Sequence, residues 1–231
     1  MFGDRLDAAE RYRSMLATDG TVRGLIGPRE VLRLWDRHLV NCAVIGELID
    51  EGQSVIDIGS GAGLPGIPLA IARPDLNITL IEPLLRRTTF LEEVVERLDL
   101  NVRVIRGRAE EKTVLAEVEP ADVVTSRAVA PLERLVRWSA PLISPAGRLV
   151  AIKGSSAEDE IARDWQRAAK LGIVDLKAQT CGADVLEQAT TVIVGFKRGG
   201  SGRSREKDAG GVGNPSRRSA GPNSSVRKSG R

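Results

Sequence analysis

Cysteine and histidine are almost missing from this chain: Cys42, Cys181 and His38 are the whole set. With no ligands at metal-binding spacing, no metal site is expected, and two widely separated thiols suit a reducing compartment. No apolar run approaches the roughly 18–20 residues needed to span a bilayer. No N-terminal signal segment is legible, so the expected location is cytoplasmic, away from membranes. Internal repeats are absent as well. A bulk positive charge is also missing from most of the chain. The net charge of +3 divides unevenly, because residues 199–231 carry eight Lys/Arg against two Asp/Glu, whereas residues 1–198 carry 26 against 29. The body is weakly acidic, and bulk charge gives no argument that it binds nucleic acid.

What is present centres on Ser54-Val55-Ile56-Asp57-Ile58-Gly59-Ser60-Gly61-Ala62-Gly63-Leu64-Pro65-Gly66. A β-branched run breaks into closely spaced glycines, and an apolar helical pattern follows from Leu64 to Ala72, which reads as strand, tight turn, helix. Glycines allow the sharp turn and a close approach by a ligand, and the helix start is expected to offer free N–H groups. A dinucleotide loop wants Gly-x-Gly-x-x-Gly directly after the strand. That register fails from Gly59, where Leu64 takes the third glycine position, and fits from Gly61 only after the loop has left the strand. The spacing Asp57-x-Gly59-x-Gly61-x-Gly63 instead resembles the first motif of class I S-adenosylmethionine (SAM) methyltransferases. Asp57, Gly59, Gly61, Gly63 and Leu64 are therefore cofactor candidates. Glu82 ends a second strand, where either kind of cofactor uses an acid to accept hydrogen bonds from ribose hydroxyls.

At 231 residues the chain suits one domain with appendages. Residues 1–50 read as a helical extension, with Leu6, Ala9, Tyr12 and Leu16 on one face. A second amphipathic helix follows Pro28 and carries Val31, Leu34, Trp35, His38, Cys42, Ile45 and Ile49. Residues 51–198 alternate strand and helix, with strands expected near 53–58, 77–82, 102–106, 121–126 and 147–153. The pattern predicts an α/β fold with a parallel sheet covered by helices on both faces. Two further strands are expected near 173–179 and 190–197, the latter as an antiparallel insertion near one sheet edge. Residues 199–231, rich in Gly, Ser, Arg, Asn and Pro, form an expected disordered basic tail, either a loose RNA contact or a solubilising segment.

Ligands of open parallel sheets bind beyond the carboxyl ends of the strands, and those ends deliver Gly59, Glu82, Arg106 to Glu110, Arg127 and Lys153-Gly154 to one rim. Ala109 is placed to pack on an adenine ring and Glu110 to meet its polar edge, with simple helix capping by Glu110 and Glu111 as the alternative. Arg127 offers a planar fork to a carboxylate, a phosphate or a guanine edge, or else to a surface salt bridge. Lys153 is read as a phosphate contact at the mouth or as an ordinary solvated lysine. His38, on the apolar line of its helix, is read as a packed structural histidine. Arg86 and Arg87 are read as a solvated helix face or an RNA contact. The Asn/Asp-Pro-Pro-aromatic motif of many amino-group methyltransferases is missing after the fourth strand, where Ser126-Arg127-Ala128 stands.

The chain resembles the GidB/RsmG family, the bacterial 16S rRNA guanine-N7 methyltransferases. The resemblance rests on Asp57 to Ala70 with its Gly-Leu-Pro-Gly-Ile-Pro extension, Arg73-Pro74, Arg87 with Phe90-Leu91, Gly107-Arg108-Ala109-Glu110, Ser126-Arg127-Ala128, Lys153-Gly154 and Arg37-His38-Leu39. Asn41-Cys42 departs from the Asp-Ser usual in the family. The similarity covers about residues 20–197. It implies a class I SAM-dependent methyltransferase fold, Rossmann-like, with a seven-stranded mostly parallel sheet. It also implies SAM contacts at Gly59, Leu64, Ala109, Glu110 and Arg127, which favours Arg127 as a cofactor residue over a purely RNA one; their place at the rim sets Arg127 and Lys153 toward the substrate. The implied substrate is a guanosine in the decoding region of 16S rRNA, within the small ribosomal subunit or its precursor. A monomer is expected. Guanine N7 already carries a free lone pair, so no catalytic acid or base is named. Two other readings stand beside this one: an NAD-dependent oxidoreductase, for which no Tyr-x-x-x-Lys pair is visible, and a non-catalytic ribosome-assembly protein that binds RNA.

Overall fold

The structure, a computed structural model, describes residues 1–199; from residue 200 onward the expected disordered tail lies outside the described residues. Seven strands form one sheet: β1 (Ser54–Ile58), β2 (Asn77–Glu82), β3 (Val102–Arg106), β4 (Ala121–Arg127), β5 (Ile143–Ile152), β6 (Ile173–Cys181) and β7 (Thr190–Lys197). Their order is β3-β2-β1-β4-β5-β7-β6. The first five pair in parallel, and β7 runs antiparallel to both β5 and β6. This is the expected seven-stranded sheet with one inserted antiparallel strand. β5 starts earlier than expected, because Ile143 pairs with Ala121 across an irregularity before the main register of Val123 with Arg148.

Alternating side chains build two cores. Val55, Val123, Val150 and Val192 face one side of the sheet, and their neighbours Ile56, Val124, Ala151 and Ile193 face the other, as the period of two demands. The first side is covered by α3 (Gly66–Ala72), α4 (Leu85–Arg97) and the N-terminal extension. α5 (Lys112–Glu117), α6 (Leu132–Ser139) and α7 (Ala157–Lys170) cover the second. The extension shares its core with the sheet. Tyr12, Leu16, Leu34, Leu39 and Ile45 are fully buried in it, and burying each such side chain contributes roughly 1.5–3 kcal/mol.

The single amphipathic helix expected after Pro28 is broken. α1 (Leu6–Met15) is regular, but residues 28–48 run as a 3₁₀ turn (Pro28–Arg33), a π turn (Leu34–Val40), the short α2 (Asn41–Ala43) and a further 3₁₀ turn (Val44–Leu48). Val31, Val40, Val44 and Ile45 are β-branched and Gly46 has no side chain, all weak helix formers. A Cβ at Gly46 would lie 3.3 Å from Arg73, whose guanidinium donates to the Gly46 and Ile49 carbonyls. Tertiary contacts, rather than a regular ladder, set this path.

Candidate active site

The carboxyl ends of β1 to β5 meet at one rim, as the parallel registers require: Glu82 sits opposite Arg106, and Arg127 opposite Ile152. The glycine loop after β1 is closed on itself. Gly59 and Ser60 donate to the Ile81 carbonyl, Gly63 and Leu64 donate to the Ser60 carbonyl, and Gly61 donates to the Glu82 carboxylate at 3.0 Å. The Gly66 N–H donates to Asp57 Oδ2 at 3.0 Å, and the Ile67 N–H to the Gly63 carbonyl. The expectation of free N–H groups at this helix start is therefore corrected, because the orphan donors already have partners.

The loop residues then divide by what they face. Gly59 (φ +66°) turns the chain out of β1, and a Cβ there would lie 2.9 Å from Val129 Cγ2. A Cβ at Gly61 (φ +59°) would meet only the Gly59 carbonyl oxygen, at 3.8 Å. Gly63, expected at the cofactor, is a packing glycine: a Cβ would lie 2.5 Å from Ile67 and 3.0 Å from the Tyr12 hydroxyl. Asp57, also expected at the cofactor, supports the loop from beneath. It is fully buried beneath the loop and caps α3, and burial pushes its carboxyl up to about 7. Its Oδ1 is buried without a partner.

Glu82, also buried, accepts from Gly61 and from the Leu84 N–H at 3.0 Å each, with the Arg87 guanidinium 3.5 Å away. Arg87 is thus a partner of the acid rather than a free helix face, while Arg86 stays exposed. Leu64 and Ala109 are buried and Glu110 is exposed. The helix capping weighed for Glu110 and Glu111 is not made: Glu111 precedes α5 without a side-chain bond into it and accepts instead from the Arg108 N–H at 3.2 Å.

Arg127 and Lys153 belong to a second space. They line a cavity of about 1370 Å³ whose walls are the 28–41 segment, the 128–131 loop and the start of α7; Gly59, Glu82 and Ala109 do not line it. Val129 does, and it is also what a Gly59 side chain would strike, so it partitions glycine loop from cavity.

Lys153, read as a mouth lysine, is instead largely buried and holds two partners, the Ala130 carbonyl at 2.9 Å and Glu160 at 2.8 Å. Glu160 also accepts from the Leu132 N–H at 2.8 Å. Together they brace the loop after β4. Arg127 is held from the other side: Nη1 donates to the Arg37 carbonyl at 3.3 Å and lies 3.6 Å from Cys42 Sγ, and Nη2 lies 2.6 Å from His38 Nδ1. His38 is packed, as expected, but its second nitrogen lies 2.8 Å from Glu30. Glu30 carried no sequence signal. Its link to His38 crosses an irregular backbone that matches no periodic template.

The site is therefore rich in acceptors and poor in free backbone donors. A buried acid caps the helix where a dinucleotide pyrophosphate would need N–H groups. Glu82 keeps lone pairs for a diol, since each carboxylate oxygen accepts more than one hydrogen bond. A cationic ligand bearing ribose hydroxyls fits this set of acceptors. Among the described residues no group of His, Cys, Asp and Glu is placed to hold a metal ion, and no helix is long and apolar enough to cross a membrane.

The sequence model of a family described as "GidB: rRNA small subunit methyltransferase G" matches residues 5–190. A relative named ribosomal RNA small subunit methyltransferase G from Rhodococcus jostii (strain RHA1) is 63% identical over 193 residues, covering 84% of this chain and 85% of the relative. One of the same name from Corynebacterium glutamicum (strain R) is 64% identical over 194 residues, covering 84% and 87%. Among solved structures, fibrillarin from Aeropyrum pernix with bound S-adenosyl-L-methionine is similar in fold, at TM-score 0.52 and 20% identity, over 69% of this chain and 75% of that one.

Proposed function

The chain belongs to the rRNA small subunit methyltransferase G family, and from that premise we propose that its site moves a methyl group from SAM to N7 of a guanosine in the decoding region of 16S rRNA, in the small subunit or its precursor. The observation that carries the reading is the closed glycine loop, whose helix start is capped by Asp57 and leaves no donor cradle for a pyrophosphate. SAM supplies an activated methyl group on a sulfonium centre. With SAM bound, Glu82 would accept from the ribose hydroxyls, Gly59 and Gly61 would let it approach the loop, Leu64 would pack nearby, and Ala109 with Glu110 would flank the adenine. Asp57 acts from beneath by fixing the loop.

The cavity beyond Val129 takes the guanosine. Guanine presents N7 and O6 as acceptors on one edge, and the Arg127 donors suit O6. N7 holds its lone pair at neutral pH, so no side chain need remove a proton. Rate would then come from positioning, with the Arg127 donors holding the guanine edge in the cavity. Methyl transfer moves positive charge onto the purine. The test is incubation with tritiated-methyl SAM and small subunits from a strain lacking this modification, followed by nucleoside analysis. Label in 16S rRNA as 7-methylguanosine supports the reading; label at another atom, or none, overturns it.

A further inference from the structure

We propose that Glu30 is a positioning residue for methyl transfer, acting through His38 to aim the Arg127 guanidinium into the cavity. The inference deepens the proposed function and rests on it. Its basis is a chain of hydrogen bonds with a fixed direction. Arginine has donors only and does not lose its proton, so at 2.6 Å His38 Nδ1 must be the acceptor from Arg127 Nη2. A neutral imidazole with an accepting Nδ1 carries its proton on Nε2, and that proton points at Glu30 Oε2, 2.8 Å away. Glu30 thereby selects the tautomer, and the tautomer holds Arg127. The remaining Arg127 donors have no partner among the described residues, and Arg127, His38 and Glu30 all line the cavity.

The charges around His38 agree with a neutral ring. Burial and the Arg127 charge hold its pKa below the usual value, while Glu30 pulls it up. Arg37 on the same segment lies 3.4 Å from Glu30, and Arg33 adds positive charge near that acid. On the far side stands the Cys42 thiol, pushed up to about 11 and so uncharged. Protonation of His38 would put an N–H against the Arg127 N–H and release the guanidinium. Asp57 also titrates, at about 7, so the acid limb is assigned by following the His38 ring itself.

His38 is the only histidine in the chain, which gives a direct probe. The experiment is ¹⁵N NMR of the imidazole against pH in wild type, Glu30→Gln and Glu30→Ala, together with the pH profile of kcat and the SAM Kd. The wild type should show unprotonated Nδ1 and protonated Nε2, and kcat should fall as His38 takes up a second proton. A glutamine oxygen still accepts from Nε2, so Glu30→Gln should keep kcat near neutral pH while moving both the His38 midpoint and the acid limb to lower pH. Glu30→Ala should lower kcat on the order of tenfold and leave the SAM Kd within about twofold. The opposite tautomer, a limb that stays put while the midpoint moves, or a Glu30→Gln protein as slow as Glu30→Ala would overturn the inference. A wild type that transfers no methyl group would overturn the functional reading and the role of Glu30 with it. The NMR titration, read without catalysis, tells that failure apart from failure of the hydrogen-bond chain.

Discussion

The Tyr12 hydroxyl donates a 2.7 Å hydrogen bond to the Ala62 carbonyl, tying the first helix to the glycine loop across 50 residues. Burial holds the Tyr12 pKa well above the ordinary value, so the phenol keeps its proton and the bond its direction. The N-terminal extension is therefore part of the glycine loop's support. Tyr12→Phe should leave a buried carbonyl unpaired, lower stability by about 1–2 kcal/mol, and weaken SAM binding roughly three- to tenfold. Urea unfolding and calorimetric titration check both numbers.

Gly59→Val should abolish SAM binding. The backbone there is left-handed at φ +66°, and the new Cβ would lie 2.9 Å from Val129, so either the turn or the 128–131 loop must move. A folded Gly59→Val protein with unchanged SAM affinity, judged by circular dichroism and titration, contradicts the loop assignment.

Glu82→Ala removes the acceptor for Gly61 and the proposed acceptor for the ribose. Losing one charge-assisted bond typically costs about 1.5–3 kcal/mol, so SAM affinity should fall roughly ten- to a hundredfold. Wild-type affinity in this variant would refute the ribose role.

Much of this layout was legible in the sequence. Each inner strand is a short β-branched run ending in glycine or a charged residue, so strand positions and the shared rim could be read directly. The β-branched run that marks β5 in the sequence covers only 147–153, because Pro145 and Gly147 interrupt it, whereas Ile143 already pairs with Ala121. The contacts that link distant segments were not legible. Nothing local says that Tyr12 reaches Ala62, that His38 meets Arg127 or that Lys153 turns inward to Glu160, because tertiary packing decides where long polar side chains end. The free helix start was misjudged for a related reason. The cap comes from Asp57 on the preceding strand, nine positions away, not from a residue beside the helix.

Lys153→Met should act on the loop rather than on a phosphate. It removes the bonds to Ala130 and Glu160 and leaves a largely buried carboxylate short of a partner. Methyl transfer should drop on the order of tenfold in kcat/KM as the 128–131 loop loosens, with SAM affinity within about twofold of wild type. The salt dependence of RNA binding should stay unchanged; a shallower slope would restore the phosphate contact.

Asp57 gives a pH prediction whose sign is fixed by burial. Its folded pKa, about 7, lies above the ordinary value of 3.8. The folded state therefore holds the proton that the unfolded chain gives up between these values. Its contribution is fully present below pH 4 and is lost as pH rises to about 7, reaching a few kcal/mol. Asp57→Asn, which keeps an oxygen for Gly66, should flatten stability between pH 4 and 7 and exceed wild type at pH 8. Urea unfolding across that range decides it.

We propose that the glycine loop is an acceptor-lined pocket for a cation with ribose hydroxyls, closed to a pyrophosphate. Calorimetric titration of the wild-type protein with SAM and with NADH tests it most directly. SAM should bind saturably one to one, and NADH should give no measurable heat of binding. Tighter binding of NADH than of SAM would contradict it.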